Sequence, residues 1–503
     1  MVQRYSNSLT IKVFLFVFPS IHRTFVIDPK IKIMHIEQMY TGCLAQGAYY
    51  IICNGEIAII DPLREIQSYL DKAEADKGQI KYIFETHFHA DFVSGHITLS
   101  EKTGAEIIFG PTAVTNFKAT IAEDGQLFPL GDCFIKVLHT PGHTMESSTY
   151  LLIDADGKEH AIFSGDTLFL GDVGRPDLAQ KAASMTQEEL AGLLFESLHT
   201  KIMPLPDTTI VYPGHGAGSA CGKNMSKETV GTLGEQKQTN YALRANMTKA
   251  EFIQEVTDGL LPPPSYFPLN VMLNKQGYES IDIIIERGTL ALSPEKFELI
   301  ANSTDALILD VRKEEAFIKA HIPNAIFIGV DGTFAPWVGA LLQDVKQEIL
   351  LVVPEGREKE VVTRLARVGF DHTVGYLAGG IAAWEQAGKE VDSIESISAE
   401  VFKTELTENS LVFDVRKINE FESEHLPQAH LASLDYLNEH LAEFPKDKPF
   451  FIYCGGGYRS VIASSILKSR GFHGMINVEG GFSAIKKAGI ATTNFVCPST
   501  LRN

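Results

Sequence analysis

Cysteine is scarce in this chain: six in 503 residues, with no CxxC pair among them. So thin a supply excludes a disulfide framework. It fits a reducing compartment in which one or two thiols are kept for chemistry. Positive charge is scarce too, with 44 Lys and Arg against 63 Asp and Glu and a formal net charge of −19. That balance argues against nucleic acid or a membrane surface as the main partner, because both demand a basic face. A small anionic substrate in a local positive pocket stays compatible with it. A run of transmembrane length is also missing. The apolar stretch "IKVFLFVFPSI" near the start is interrupted by Lys12 and is too short to span a bilayer. It is not followed by a convincing small-residue cleavage site, so the expected location is the cytoplasm. Met34 opens "MHIEQMYTGCLAQGAYYIICNGEIAIIDP", which reads as a fresh domain start, and residues 1–33 are taken as an extension outside the fold.

What is present is organised. Short β-branched apolar runs ("YYIIC", "IAIID", "IKYIFETH", "AEIIFG", "STYLLID", "TTIVYPGHG") alternate with helix-patterned stretches such as "MTQEELAGLLFESLHTKI". Strands ending in polar loops with helices outside them predict an α/β layered domain. Residues from about 225 to 290 read as a helical tail and connector, interrupted by "LLPPPSYFP". Beyond them the chain repeats itself. "LILDVRKEEAFIKAHIPNA" (307–325) matches "LVFDVRKINEFESEHLPQA" (411–429), and "LAGGIAAWEQAG" (377–388) matches "VEGGFSAIKKAG" (478–489). Two homologous small α/β domains are therefore expected after the first, giving boundaries at 34–285, 286–392 and 393–503.

The first domain carries metal-site chemistry. "ETHFHADFVSGH" holds His87, His89 and Asp91; "TPGHT" holds His143, "FSGD" Asp166 and "YPGHG" His215. Any one of these alone would pass as an ordinary satisfied side chain. Imidazoles and carboxylates at loop tips after strands, in this order, are what a preformed transition-metal site requires.

The order HxHxD, GHT, GD, GHG resembles the metallo-β-lactamase fold, an αββα sandwich, over about residues 34–285. In its dinuclear hydrolases, the resemblance implies, both histidines of HxH and that of GHT hold one cation. The Asp, the next His and the GHG histidine hold the second, and the GD carboxylate bridges the two. Here Phe92 stands where a ligand of the second cation belongs. A branch of the fold, the persulfide dioxygenases, uses one Fe(II) held by two histidines and one carboxylate. Carried onto this chain those ligands are His87, His143 and Asp166, an arrangement that leaves positions open for O2 chemistry. His89, Asp91 and His215 then orient ligands and water. Arg175 in "GDVGRPDL" is a candidate for steering an anionic substrate, or else a structural ion-pair partner. Cys221 in "GHGAGSACGK" resembles a cysteine near the iron of dioxygenases fused to rhodanese domains. It is a candidate sulfur relay, with plain packing as a small hydrophobe the alternative.

In the second repeat, "PFFIYCGGGYRS" sets Cys454 at the mouth of a Gly-rich loop opening a helix. Converging N–H groups and the helix dipole stabilise a thiolate there. Gly455, Gly456 and Gly457 let the loop curl around the sulfur, and Arg459 adds positive charge. DVR, HLP, CGGGYR and EGG together resemble a rhodanese domain, which implies that Cys454 is the nucleophile and carries sulfane sulfur. The first repeat has Pro354 at the matching position and an acidic loop, so it reads as inactive. The combination resembles a persulfide dioxygenase–sulfurtransferase fusion. It implies Fe(II)-dependent oxidation of a thiol persulfide (glutathione, coenzyme A or similar) by O2 to sulfite, and sulfur transfer to give thiosulfate. A homo-oligomer is expected, with no segment that sets its order. The competing expectation is a zinc thioester hydrolase resembling glyoxalase II with an attached sulfurtransferase.

Overall fold

A computed structural model describes residues 34–260, 262–342 and 344–497, so the expectation for residues 1–33 lies outside the described residues. The chain divides into two compact units at Tyr278 and Glu279.

In the first unit, "QGAYYIIC" (Gln46–Cys53) is buried at every position, the pattern of a strand covered on both faces. Its sheet runs in chain order through Met34–Thr41, Gln46–Cys53, Glu56–Ile60, Gln79–Glu85, Glu106–Phe109 and Thr120–Ile121. The first three strands pair antiparallel and the rest parallel. The second six-stranded sheet has the order Gly231–Thr232, Ile210–Pro213, Glu159–Gly165, Ser148–Ile153, Cys133–His139, Leu127–Leu130. Tyr49, Ile51 and Phe84 of the first sheet meet Phe128, Ile135, Tyr150 and Phe163 of the second in one core. The rings of Phe84 and Tyr150 lie 4.7 Å apart across it. Each fully buried aromatic of this kind contributes about 1.5–3 kcal/mol. Outside, Tyr69, Ala73 and Leu99 bring helices Gln67–Ala75 and His96–Thr103 onto the first sheet. Leu194 and Phe252 bring Gln187–Ser197 and Lys249–Thr257 onto the second. The result is the expected four-layer αββα sandwich. Its parallel strands end together on one edge, where loops carry chemistry on a rigid scaffold.

The second unit contains two five-stranded parallel sheets with one strand order. They are Ala291–Leu292, Thr373–Leu377, Ile349–Val352, Leu307–Asp310, Ile326–Phe327, and Ser396–Ile397, Met475–Val478, Phe450–Tyr453, Val412–Asp414, Ala429–Leu431. The duplicated topology is the structural counterpart of the internal repeat. The two copies touch: the Phe327 N–H donates to Ser465 Oγ at 2.9 Å, and the Tyr458 hydroxyl donates to the Gly329 carbonyl at 3.0 Å. The boundary expected at residue 285 falls inside helix Ile281–Gly288. That whole helix belongs to the second unit, where Arg287 donates to the Asp371 carbonyl at 2.7 Å. Among the described residues no helix is long and apolar enough to cross a membrane.

Candidate functional site

Four strand ends build the first site. His87, His89 and Asp91 follow Gln79–Glu85, His143 follows Cys133–His139, Asp166 follows Glu159–Gly165, and His215 follows Ile210–Pro213. His87, His143 and Asp166 converge, each buried, with one ligand atom from each lying within 4.8 Å of the others. His143 Nε2 is 3.4 Å and His87 Nε2 3.9 Å from Asp166 Oδ2. Their orientation is set from behind. His143 Nδ1 meets the Arg175 carbonyl at 2.9 Å. His87 Nδ1 meets Thr86 Oγ1 at 3.0 Å, and Thr86 Oγ1 donates to Asp61 Oδ2 at 2.8 Å. Both Nδ1 atoms therefore carry the proton and both Nε2 lone pairs face Asp166. Burial, and then the neighbouring histidines, hold the His87 imidazole well below its ordinary pKa, which keeps it neutral and able to bind a metal. Two glycines are required by close approach. A Cβ on Gly214 would meet Asp166 Oδ1 at 2.6 Å, and one on Gly174 would meet the Asp166 carbonyl at 2.0 Å.

This donor set fits a cation. Neither carboxylate oxygen of Asp166 has a hydrogen-bond donor, and both are buried. An ionised carboxylate so placed is costly without a compensating charge. Two imidazole nitrogens and one carboxylate suit Fe(II), and Zn(II) as well.

A second group lies alongside. Asp91, His215 and Cys221 are buried, again with ligand atoms within 4.8 Å of one another. His215 Nε2 stands 3.4 Å from Asp91 Oδ2 and 3.6 Å from Asp166 Oδ1. Burial, then the charges of Asp166 and Asp91, push the Cys221 thiol well up. Phe92 is fully buried, its ring 4.3 Å from that of His89 at an interplanar angle of 31°. His89 Nε2 lies 3.1 Å from Asp61 Oδ1 and 3.3 Å from Glu85 Oε2, while its Nδ1 is buried without a hydrogen-bond partner. Burial opposes its charge, but these two carboxylates outweigh it and hold the imidazole well above its ordinary value.

Arg175 differs from the substrate-steering expectation. It is 6% exposed, its guanidinium is bidentate to Asp177 at 2.7 Å for each bond, and it also donates to the Ala220 carbonyl. The charge is consumed internally, while the backbone carbonyl orients His143. Asp61, Glu85, Thr86 and Asn274 were not singled out from sequence. The available signal was an acidic residue closing each of two apolar strands, "IAIID" and "YIFE". Asp61 also adopts a left-handed φ of 49°, the kind of backbone strain that clusters at functional sites.

In the second unit Cys454 follows strand Phe450–Tyr453 and precedes helix Tyr458–Ser469. The thiol is buried and accepts from the Gly457 N–H at 3.1 Å. Gly457 has φ 109°, which glycine supplies at no steric cost. A Cβ on Gly481 would meet the Cys454 carbonyl at 2.2 Å, which accounts for the second glycine of EGG. Gly455 lies against Arg459, whereas Gly456 borders open space. Arg459 is bidentate to Glu420 at 2.6 and 2.8 Å, so its charge reaches the loop partly balanced. The Asp–Arg pairs of the two DVR motifs, Asp310–Arg312 and Asp414–Arg416, close the same bidentate contact in both copies. That equivalence assigns them to the fold. The first copy presents Pro354 and an Arg357–Glu360 ion pair at 2.7 Å at its loop, with no thiol.

Comparison with known proteins agrees with this architecture. The metallo-beta-lactamase superfamily model matches residues 42–215, and the rhodanese-like domain model matches 293–387 and 398–488. The crystal structure of a metallo-beta-lactamase from Staphylococcus aureus superposes with a TM-score of 0.60 at 33% identity, covering 68% of this chain and 98% of that one. A cytoplasmic hydroxyacylglutathione hydrolase from Arabidopsis thaliana is 30% identical, over 37% of this chain and 67% of its own length. A probable hydroxyacylglutathione hydrolase from Schizosaccharomyces pombe is 30% identical, over 35% of this chain and 66% of its own. The chain thus spans only about two thirds of the length of these curated relatives. On this combined sequence and structural match, the chain belongs to the metallo-beta-lactamase superfamily, with two rhodanese-like domains following its metal-site domain.

Proposed function

We propose that the protein is a persulfide dioxygenase coupled to a sulfurtransferase. One thiol persulfide, one O2 and one water would yield one thiol, one sulfite and two protons. The observation that carries this reading is the His87–His143–Asp166 group beside a buried Phe92, in one chain with the Cys454 loop. Iron(II), when held by those three residues, supplies the redox chemistry that O2 needs to react with a closed-shell sulfur compound. The residues' own work is to present two imidazoles and a carboxylate in a buried, fixed arrangement. At the other site Cys454 attacks the outer sulfur of a second persulfide, releasing thiol and becoming a cysteine persulfide. Sulfite then attacks that outer sulfur, the S–S bond breaks, and thiosulfate leaves as the Cys454 thiolate is restored. The loop N–H groups receive the negative charge on sulfur at each stage. A sulfur relay at Cys221, which lies beside Asp91 and His215, would need a thiolate that burial and the neighbouring carboxylates oppose.

A second reading, a zinc thioester hydrolase, is supported by the names of the hydroxyacylglutathione hydrolases and by the Asp91–His215–Cys221 group as a place for a second cation. Metal analysis coupled to O2 consumption separates the two. The expected outcome is iron in the purified protein and O2 uptake with a low-molecular-weight persulfide. Cys454→Ser should keep the uptake while product shifts from thiosulfate to sulfite. Zinc-loaded protein that consumes no O2 but cleaves S-lactoylglutathione would establish the hydrolase instead.

A further inference from the structure

Helix Gln187–Ser197 does not stop where its α-helical bonding stops. It runs on as one π-helical turn, Leu198–Ile202, closed by the Met203 N–H on the Leu198 carbonyl at 2.8 Å. Single π turns inside helices are rare and frequently mark functional sites. The carbonyls at the crossover gain side-chain partners. His199 Nδ1 lies 3.0 Å from the Phe195 carbonyl, and the Thr200 hydroxyl donates to the Glu196 carbonyl at 2.7 Å. The reason for the turn lies in the core. Leu194, Leu198 and Ile202 repeat every four residues, and all three are fully buried in one cluster. A straight α-helix drifts by about 40° at each such step. The wider turn takes back part of that drift, so Leu198 and Ile202 stay in the core while the residue before them keeps a different task.

That residue is Ser197, 4% exposed. Its hydroxyl donates to the Pro141 carbonyl at 2.7 Å, two residues before His143. One turn earlier on the helix, Leu194 lies against the next residue of the same loop. A Cβ on Gly142 would meet Leu194 N, Cα and Cβ at 2.4, 2.5 and 2.5 Å, and Gly142 has φ 141°. The helix therefore touches both residues that lead into His143, once by a hydrogen bond and once by backbone approach. Thr140, just before them, has its hydroxyl 2.8 Å from that of Thr167, the neighbour of Asp166. The His143 ring is oriented from its other side by the Arg175 carbonyl.

We propose that Ser197, placed by the π turn, is a positioning residue of the metal site: it fixes the Pro141–Gly142 backbone and through it the place of His143. The inference rests only on His143 binding the metal, which the iron and zinc readings share. Losing a group that orients a metal ligand weakens metal binding by about 10–100-fold. Ser197 acts one step further back, through the chain, so the lower end of that range is expected.

The full chain, stripped of metal by a chelator, can be titrated with cobalt(II) and zinc(II) in competition with a chromophoric chelator. The cobalt absorption bands report ligand geometry, and the unfolding midpoint of the metal-free protein reports folding. Ser197→Ala should bind both metals about tenfold more weakly and shift the cobalt bands, with the metal-free midpoint lowered by only a few degrees. Ser197→Thr, which keeps the hydroxyl, should recover affinity and bands. Wild-type affinity and bands in Ser197→Ala would overturn the proposal. So would a weakened affinity with unchanged bands that Ser197→Thr fails to recover, since that is the mark of a merely structural role. The iron reading fails separately, through the metal content and O2 uptake of the wild-type protein, on which these affinities do not depend.

Discussion

Replacing Phe92 with histidine would return the absent ligand to the second-cation position, and the structure sets the size of the effect. Phe92 is fully buried and stacked on His89. Exchanging its phenyl for an imidazole forfeits apolar burial and buries a polar nitrogen without a partner, a loss of about 3 kcal/mol in the metal-free protein. For a domain of this size that is roughly 6–12 °C in the unfolding midpoint of the first unit. Zinc reverses the sign. Asp91 and His215 already stand 3.4 Å apart, with Asp166 Oδ1 at 3.6 Å from His215, and the new imidazole completes their set. A ligand present at about a thousand times its dissociation constant stabilises by about 4 kcal/mol, so saturating zinc should recover the whole deficit. Thermal scans with zinc and with chelator, beside metal analysis, read both quantities. Expected are a lower midpoint for the metal-free variant, a larger zinc-induced rise than in wild type, and a metal content moving from one equivalent towards two. Wild type already holding two equivalents, or a variant whose midpoint and metal content ignore zinc, would refute the reasoning.

Three further substitutions probe separate parts of the molecule. Arg175→Met breaks a nearly buried ion pair with Asp177 and should cost about 3 kcal/mol or more in stability. Its signature is lowered metal retention with an unchanged KM for persulfide; a higher KM at full metal content would return Arg175 to substrate steering. Tyr458→Phe removes the hydroxyl bond to Gly329, worth about 1 kcal/mol. Sulfur transfer through Cys454 should slow by roughly fivefold while O2 uptake holds, and an unaltered transfer rate would show that the first copy does not brace the loop. Burial raises the Glu420 carboxyl, but its Arg459 partner, the Lys417 N–H and Arg416 together hold it below the ordinary value. A depressed carboxyl stabilises above the unfolded value, about 4.3, and that contribution is lost as pH falls through the folded value. Glu420→Gln should therefore flatten the acid side of the second unit's stability profile, and identical slopes would contradict the assignment.

Much of the architecture was legible because its signals are local. A largely apolar strand such as Gln46–Cys53, a repeat that returns DVR and GG at matched positions, and a cysteine before three glycines each declare themselves within a few residues. The ligand motifs were equally readable, since HxH, GHT and GD sit at strand ends that the pattern already predicts. What stayed hidden depends on long-range pairing. Asp61 reaches Thr86 and His89 only because strands Glu56–Ile60 and Gln79–Glu85 pair in parallel, and Asn274 reaches the same loop from a helix 182 residues beyond Phe92. The two readings of Arg175 stayed open in the sequence for a related reason. Its charge is visible in sequence, but the bidentate contact with Asp177 that spends it is a matter of side-chain geometry. The departure that sequence did expose, Phe92, explains one missing ligand by substitution. What His89 faces, by contrast, is set by Asp61 and Glu85 at the ends of paired strands, so its identity alone could not reveal its surroundings.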